Sequence, residues 1–136
     1  MTTTTSTTAR SGLLPGAVAG LAGGLAGGAV FGVMMNADGM MPMIAMLAGS
    51  ESAALGWVLH VGISLFIGGT FGVLFGRWLT SPVAILLGLV WGAVWWVLGP
   101  LLLMPARLGM PLFQVNDMTV RSLVGHLVFG GILGLV

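Results

Sequence analysis

Four segments of this chain are long and apolar enough to cross a bilayer, and they constrain the fold more than any motif does. They cover residues 13–35, 54–78, 82–104 and 120–136, against the roughly 20 mainly apolar residues that a spanning helix needs. The charges inside them are Arg77 and Arg121, each close to a segment end. A segment in hydrocarbon must pair its own backbone N–H and C=O groups, so spans of this kind are helices. Charged residues make up only 5% of the chain, whereas a soluble domain carries about 25%. The expected fold is therefore all-α: a polytopic membrane protein with four transmembrane helices in one domain, residues 12–136, whose first partner is the lipid bilayer. The first segment has a Thr/Ser flank with one arginine, exceeds the length of a signal core, and shares its glycine pattern with the later segments. It is read as a retained helix rather than a signal peptide. Residues 1–11 (MTTTTSTTARS) are low-complexity and polar, and are expected to be a disordered tail.

Two of the four segments carry the same motif. Gly56, His60, Ser64 and Gly68 recur at four-residue steps, and so do Ser122, His126, Gly130 and Gly134. These are the only histidines in the chain. Four-residue spacing places each set on one helix face, so each helix presents one imidazole within a stripe of small residues. Further likenesses occur in the same order. Gly28-Ala29-Val30-Phe31 matches Gly92-Ala93-Val94-Trp95, and Gly39-Met40-Met41-Pro42-Met43 matches Leu108-Gly109-Met110-Pro111-Leu112. The chain thus reads as a tandem repeat of a helical hairpin, with halves at about 13–78 and 82–136. Two spans per half make the repeat parallel, so the second and fourth helices run the same way. Both histidines then lie near one depth, counted from the side of the long loops 36–52 and 105–119.

The glycines have a structural purpose that needs no ligand. Gly16, Gly20, Gly24, Gly28 and Gly32 form one stripe, Gly68, Gly72 and Gly76 continue the second-helix stripe, and Gly88 and Gly92 begin a third. Small residues at this spacing let helix backbones approach closely in a membrane. Ser50, Glu51, Asn116 and Asp117 stand where helix caps belong. Trp57 and Trp78 stand near opposite helix ends, as interfacial anchors do. Thr80-Ser81-Pro82 makes a tight turn and a helix start.

Function rests on the histidines. An ionisable side chain inside a span is a functional candidate by default. Two imidazoles on facing helices at one depth are the arrangement that holds a b-type haem, tuned by axial ligand and burial. In that reading His60 and His126 are the axial pair, Ser64 and Gly130 flank them, and Arg121 or Arg107 meets the propionates. The architecture resembles small four-helix cytochrome b membrane anchors, and such a subunit serves electron transfer. Copper is the competing cofactor. The chain has ten methionines, and thioethers with imidazoles select Cu(I); Met41 and Met110, at matching places in the two loops, are the weaker metal candidates. The third possibility is no cofactor. The histidines then hydrogen-bond between helices, Ser64 being the nearest partner for His60, in a structural subunit that docks on itself or on other membrane proteins.

Other classes are disfavoured. No cysteine is present, which removes thiolate sites and disulfides. A net charge of +1 gives no nucleic-acid footprint. No hydrolytic triad, phosphate loop or carboxylate pair is evident, so catalysis by this chain alone is not expected. A proton relay lacks an acid within the spans, and a small transporter lacks polar wall residues. Arginines divide two and two between the sides, which ties the positive-inside rule; the expected orientation has both termini in the cytoplasm and both long loops outside.

Overall fold

The computed structural model describes the backbone of residues 2–78 and 82–136 and the side chains of residues 14–77 and 82–136. The chain is all-α, with no strand among the described residues. Helix α1 (Thr2–Ala37) contains the first span, Leu14–Ala37. A short helix α2 (Met41–Ala45) and one tight turn follow, ending at Gly49 in the left-handed region (φ 76°). Helix α3 (Ala53–Phe75) is the second span. Helix α4 (Val83–Trp96) continues through a widened turn, Val97–Leu103, into α5 (Met104–Leu108), and together they make the third span, Val83–Leu108. Helix α6 (Asp117–Leu135) is the fourth. Four helices are thus long and apolar enough to span a membrane, as the sequence led us to expect. Residues 2–11, expected to be part of a disordered tail, lie within the described backbone of α1; the turn at 80–81 and the Trp78 side chain lie outside what is described.

Helix starts follow local chemistry. Asn116 accepts from the Thr119 N–H (3.0 Å) while the Thr119 hydroxyl accepts from the Asn116 N–H (2.8 Å), a reciprocal capping box that satisfies two orphan donors of α6. For α3 the cap is Ser52, which accepts from the Leu55 N–H. Ser50, expected in that place, instead accepts from the Ser52 N–H at 3.1 Å and stabilises the approach to the helix.

Glycine decides which helices meet. α1 runs antiparallel along α3 with Gly16 opposite Gly72, Gly20 opposite Gly68 and Gly24 opposite Ser64. A methyl group on Gly20 would strike the Gly68 carbonyl oxygen, and one on Gly68 would strike that of Gly20. α4 runs along α6 in the same manner, with Ala84 opposite Gly134, Gly88 opposite Gly130 and Gly92 opposite His126. The two hairpins have equivalent registers: Gly28 lies beside His60, as Gly92 lies beside His126. A second small stripe on α1 joins the hairpins, with Gly23 against Leu133, Gly27 against Phe129, and Phe31 against Gly125. α1 therefore lies at the centre, flanked by α3 and α6, while α4 packs on the far side of α6 and touches α3 only slightly.

The contrast between Gly68 and Gly62 tests this account. Gly68 faces backbone, whereas Gly62, also on α3, has open space around it. Gly68→Ala is expected to cost about 1–3 kcal/mol through overpacking, and Gly62→Ala to be neutral or slightly stabilising through helix propensity. Thermal unfolding of the two variants in detergent, followed by tryptophan fluorescence, measures the difference.

Candidate functional site

Because α3 and α4 meet only slightly, a space opens between the hairpins. Towards the short-turn end it is closed by rings. Trp91 of α4 lies edge-on to Phe75 (5.6 Å between centroids) and beside Phe71 (6.3 Å), and its indole N–H donates to the Ile67 carbonyl at 3.1 Å. Beyond this plug lies a cavity of about 530 Å³, within the usual range for small-molecule and cofactor sites. Its back wall carries Phe31, His60, Ser64, His126 and Phe129. The widened turn of the third span forms the opposite wall through Gly99, Pro100 and Leu103. Proline has no N–H and its ring clashes with the carbonyl four residues earlier. A helix accommodates this with a wider turn, a feature common at functional sites. Gly99-Pro100 was the sequence signal for this wall, and it lies outside both histidine motifs.

The two histidines line the same cavity. Phe31 lies edge-to-face with each of them, 5.5 Å from His60 and 4.8 Å from His126 between centroids. Their hydrogen bonding differs. His60 Nε2 donates across the helix pair to the Gly28 carbonyl at 2.8 Å, and Trp57 packs against the ring. Gly32 leaves the room that Trp57 and the edge of His60 fill. The partner of His60 is thus a carbonyl of α1, not Ser64, whose side chain packs against Gly28. His126 Nδ1 donates within its own helix to the Ser122 carbonyl at 2.8 Å, with the Ser122 hydroxyl at 3.3 Å. That bond fixes the neutral tautomer and leaves Nε2 with a free lone pair.

The remaining sequence candidates separate. Ser64 lines the cavity. Gly130 is pressed against the Gly88 carbonyl and serves helix packing. Arg121 pairs with Asp38 at 3.5 Å, an exposed bridge from the end of α1 to the start of α6, and is not part of the cavity wall; Arg107 is. Met41 is 1% exposed, and its carbonyl lies against Gly56. It fixes α2 onto α3 and does not reach the cavity. Met110, its counterpart in the second loop, is 50% exposed and lines the mouth. The loops therefore part company: the first seals against α3, while the second, with Phe113 at φ 56°, stays open. Six methionines line the cavity: Met35, Met40, Met43, Met104, Met110 and Met118. Their sequence positions cluster at two loops, and the fold turns all six towards one cavity.

Two further features bear on what the cavity admits. Ile63 and Phe66 of α3 and Leu103 on the opposite wall are 42%, 60% and 57% exposed, so the gap between α3 and α4 also opens sideways. Trp95 lines the cavity, and its buried indole N–H has no protein partner, whereas Trp57, Trp91 and Trp96 each donate to one. Trp91→Phe forfeits a hydrogen bond and Trp95→Phe does not. The first is expected to cost more, by about 0.5–1.5 kcal/mol, when the two midpoints of thermal unfolding are compared.

No protein-family model, curated protein or solved structure matches this chain, so its function is argued from the site alone.

Proposed function

We propose that this protein is a small, non-catalytic membrane subunit that holds one cofactor in the cavity between its hairpins. The observation that carries the reading is that both intramembrane imidazoles line a single cavity of cofactor size. The unpartnered Trp95 N–H on the same wall supports it, because a buried donor without an acceptor is costly in an apolar medium.

Haem b, the occupant to which paired imidazoles point, suits the apolar and aromatic walls and would make the subunit an electron carrier. Ligation by both rings requires His60 to release the Gly28 carbonyl and Phe31 to shift from its contact with both imidazoles. His126 is already oriented for a ligand through its Nδ1 bond to Ser122. The second reading is a structural subunit that associates with itself or with other membrane proteins, and the His60–Gly28 bond favours it, since that histidine works as a cross-helix staple. The equivalent registers of the two hairpins support the reading of a tandem repeat. The same proposal places both termini in the cytoplasm and both long loops on the other side.

The test is a dithionite-reduced minus oxidised absorption spectrum of detergent-purified protein, combined with metal analysis and native mass spectrometry. A stoichiometric chromophore, metal or small molecule, lost on His126→Ala, is the expected result. A flat spectrum and a mass equal to the bare chain, in protein that also takes up no added cofactor, overturns the binding reading and leaves the structural one. Orientation is tested separately. The natural chain has no cysteine, so Ala48→Cys provides a unique label site, expected to react with an impermeant maleimide applied to whole cells.

A further inference from the structure

The cavity wall has a donor set that selects among cofactors, and this inference rests on the cavity being a binding site. Its nitrogen and sulfur donors are two imidazoles and six thioethers; the other polar side chains on it are the neutral amides of Gln114 and Asn116, the hydroxyls of Ser64, Thr119 and Ser122, and the Arg107 guanidinium. No carboxylate lines it, and no group of three or more His, Cys, Asp or Glu side chains suited to a metal occurs among the described residues. Hard divalent ions are held by carboxylates among their oxygen donors, and structural zinc needs thiolate, imidazole or carboxylate in fours. Neutral sulfur and imidazole donors instead select a soft ion, Cu(I) above all. Charge leads to the same choice. A cation held only by neutral ligands in an apolar cavity, with the Arg107 guanidinium on the same lining, keeps its full charge, and the cost of burying it rises steeply with that charge, which favours a monovalent ion.

The two imidazoles are not equivalent donors. His126 has its Nδ1–H committed to the Ser122 carbonyl, which orients the ring and leaves the Nε2 lone pair for a metal. His60 has its Nε2 committed to the Gly28 carbonyl on another helix. Among the thioethers, Met35 is buried and Met104 packs against the hydrophobic core. Met110 and Met118 are about half exposed at the loop end. Met35 lies one turn beyond Phe31, whose ring touches His126.

We propose that the cavity is a Cu(I) site in which His126 Nε2 and the thioethers of Met35 and Met104 are ligands, Met110 and Met118 line the approach from the long-loop side, and His60 is a positioning residue that fixes α3 to α1. No electron transfer is implied; the ion binds and leaves as Cu(I).

The experiment is an anaerobic titration of the detergent-purified full chain with Cu(I), against a chromophoric Cu(I) chelator. Wild-type protein is expected to withdraw one equivalent. His126→Ala and the double variant Met35→Leu/Met104→Leu are expected to weaken binding by more than about tenfold, the scale on which even supporting residues of metal sites act. His60→Gln, which keeps a donor for Gly28, is expected to weaken binding less than His126→Ala does, and Met46→Leu, which lies outside the cavity, to bind as wild type. Monodisperse elution and an unchanged unfolding midpoint qualify each variant; the Leu-for-Met exchanges conserve volume and keep the test valid if His126→Ala fails to fold. Equal loss in His60→Gln overturns the asymmetric assignment. Binding that survives the double Met variant overturns the thioether site. Absence of Cu(I) binding by folded wild type overturns this inference alone if the protein carries haem or another cofactor, and overturns the binding reading with it if it carries none.

Discussion

Close backbone contact within each hairpin is the constraint on which the rest of the structure depends. Lipid tails are as apolar as the helix faces, so burial of apolar side chains gives helices little reason to associate in a bilayer, and packing must supply it. Here the Cβ-free faces of α1 and α3 meet through Gly16, Gly20 and Gly24 against Gly72, Gly68 and Ser64. The faces of α4 and α6 meet through Gly88 and Gly92. Each pairing brings carbonyl oxygens against the partner backbone, where a methyl group would not fit. The hairpins are therefore rigid units, and the freedom left in the fold lies between them.

That freedom is where the cavity arises. α1 commits a second face to α6 through Gly23 and Gly27, which fixes the hairpins on one side only. On the other side α3 and α4 come together at the Trp91, Phe71 and Phe75 rings and then separate. Pro100 widens the third span at the level where the gap begins. The site is thus a consequence of unequal packing: tight glycine contacts on three helix pairs and a bulky aromatic contact on the fourth.

The likeness of the halves also explains their chemical difference. His60 and His126 occupy equivalent places beside Gly28 and Gly92, yet one bonds across the helix pair and the other within its own helix. Ser122 stands at the motif position of Gly56. Gly56 admits the Met41 carbonyl, so α2 seals against α3, while Ser122 holds the His126 ring. One exchange of glycine for serine accompanies a sealed loop in one half and an open, methionine-lined mouth in the other.

The spans, the glycine stripes and the helix cap at Asn116 were legible in the sequence because each depends on local spacing or local hydrogen bonding. Equal motif positions also implied one depth for both histidines, whereas a shared cavity depended on which helices become neighbours. Other features depended on which helices become neighbours, a matter that spacing along one helix does not encode. The Gly28 carbonyl as partner of His60, the diversion of Arg121 to Asp38, the burial of Met41 and the opening of six thioethers onto one cavity are of that kind. The sequence by itself determined that this chain is a bundle of membrane helices with one imidazole in each of two spans. Only the tertiary structure decided that their ring nitrogens are committed differently, because each commitment is set by the backbone carbonyl that packing brings within 2.8 Å.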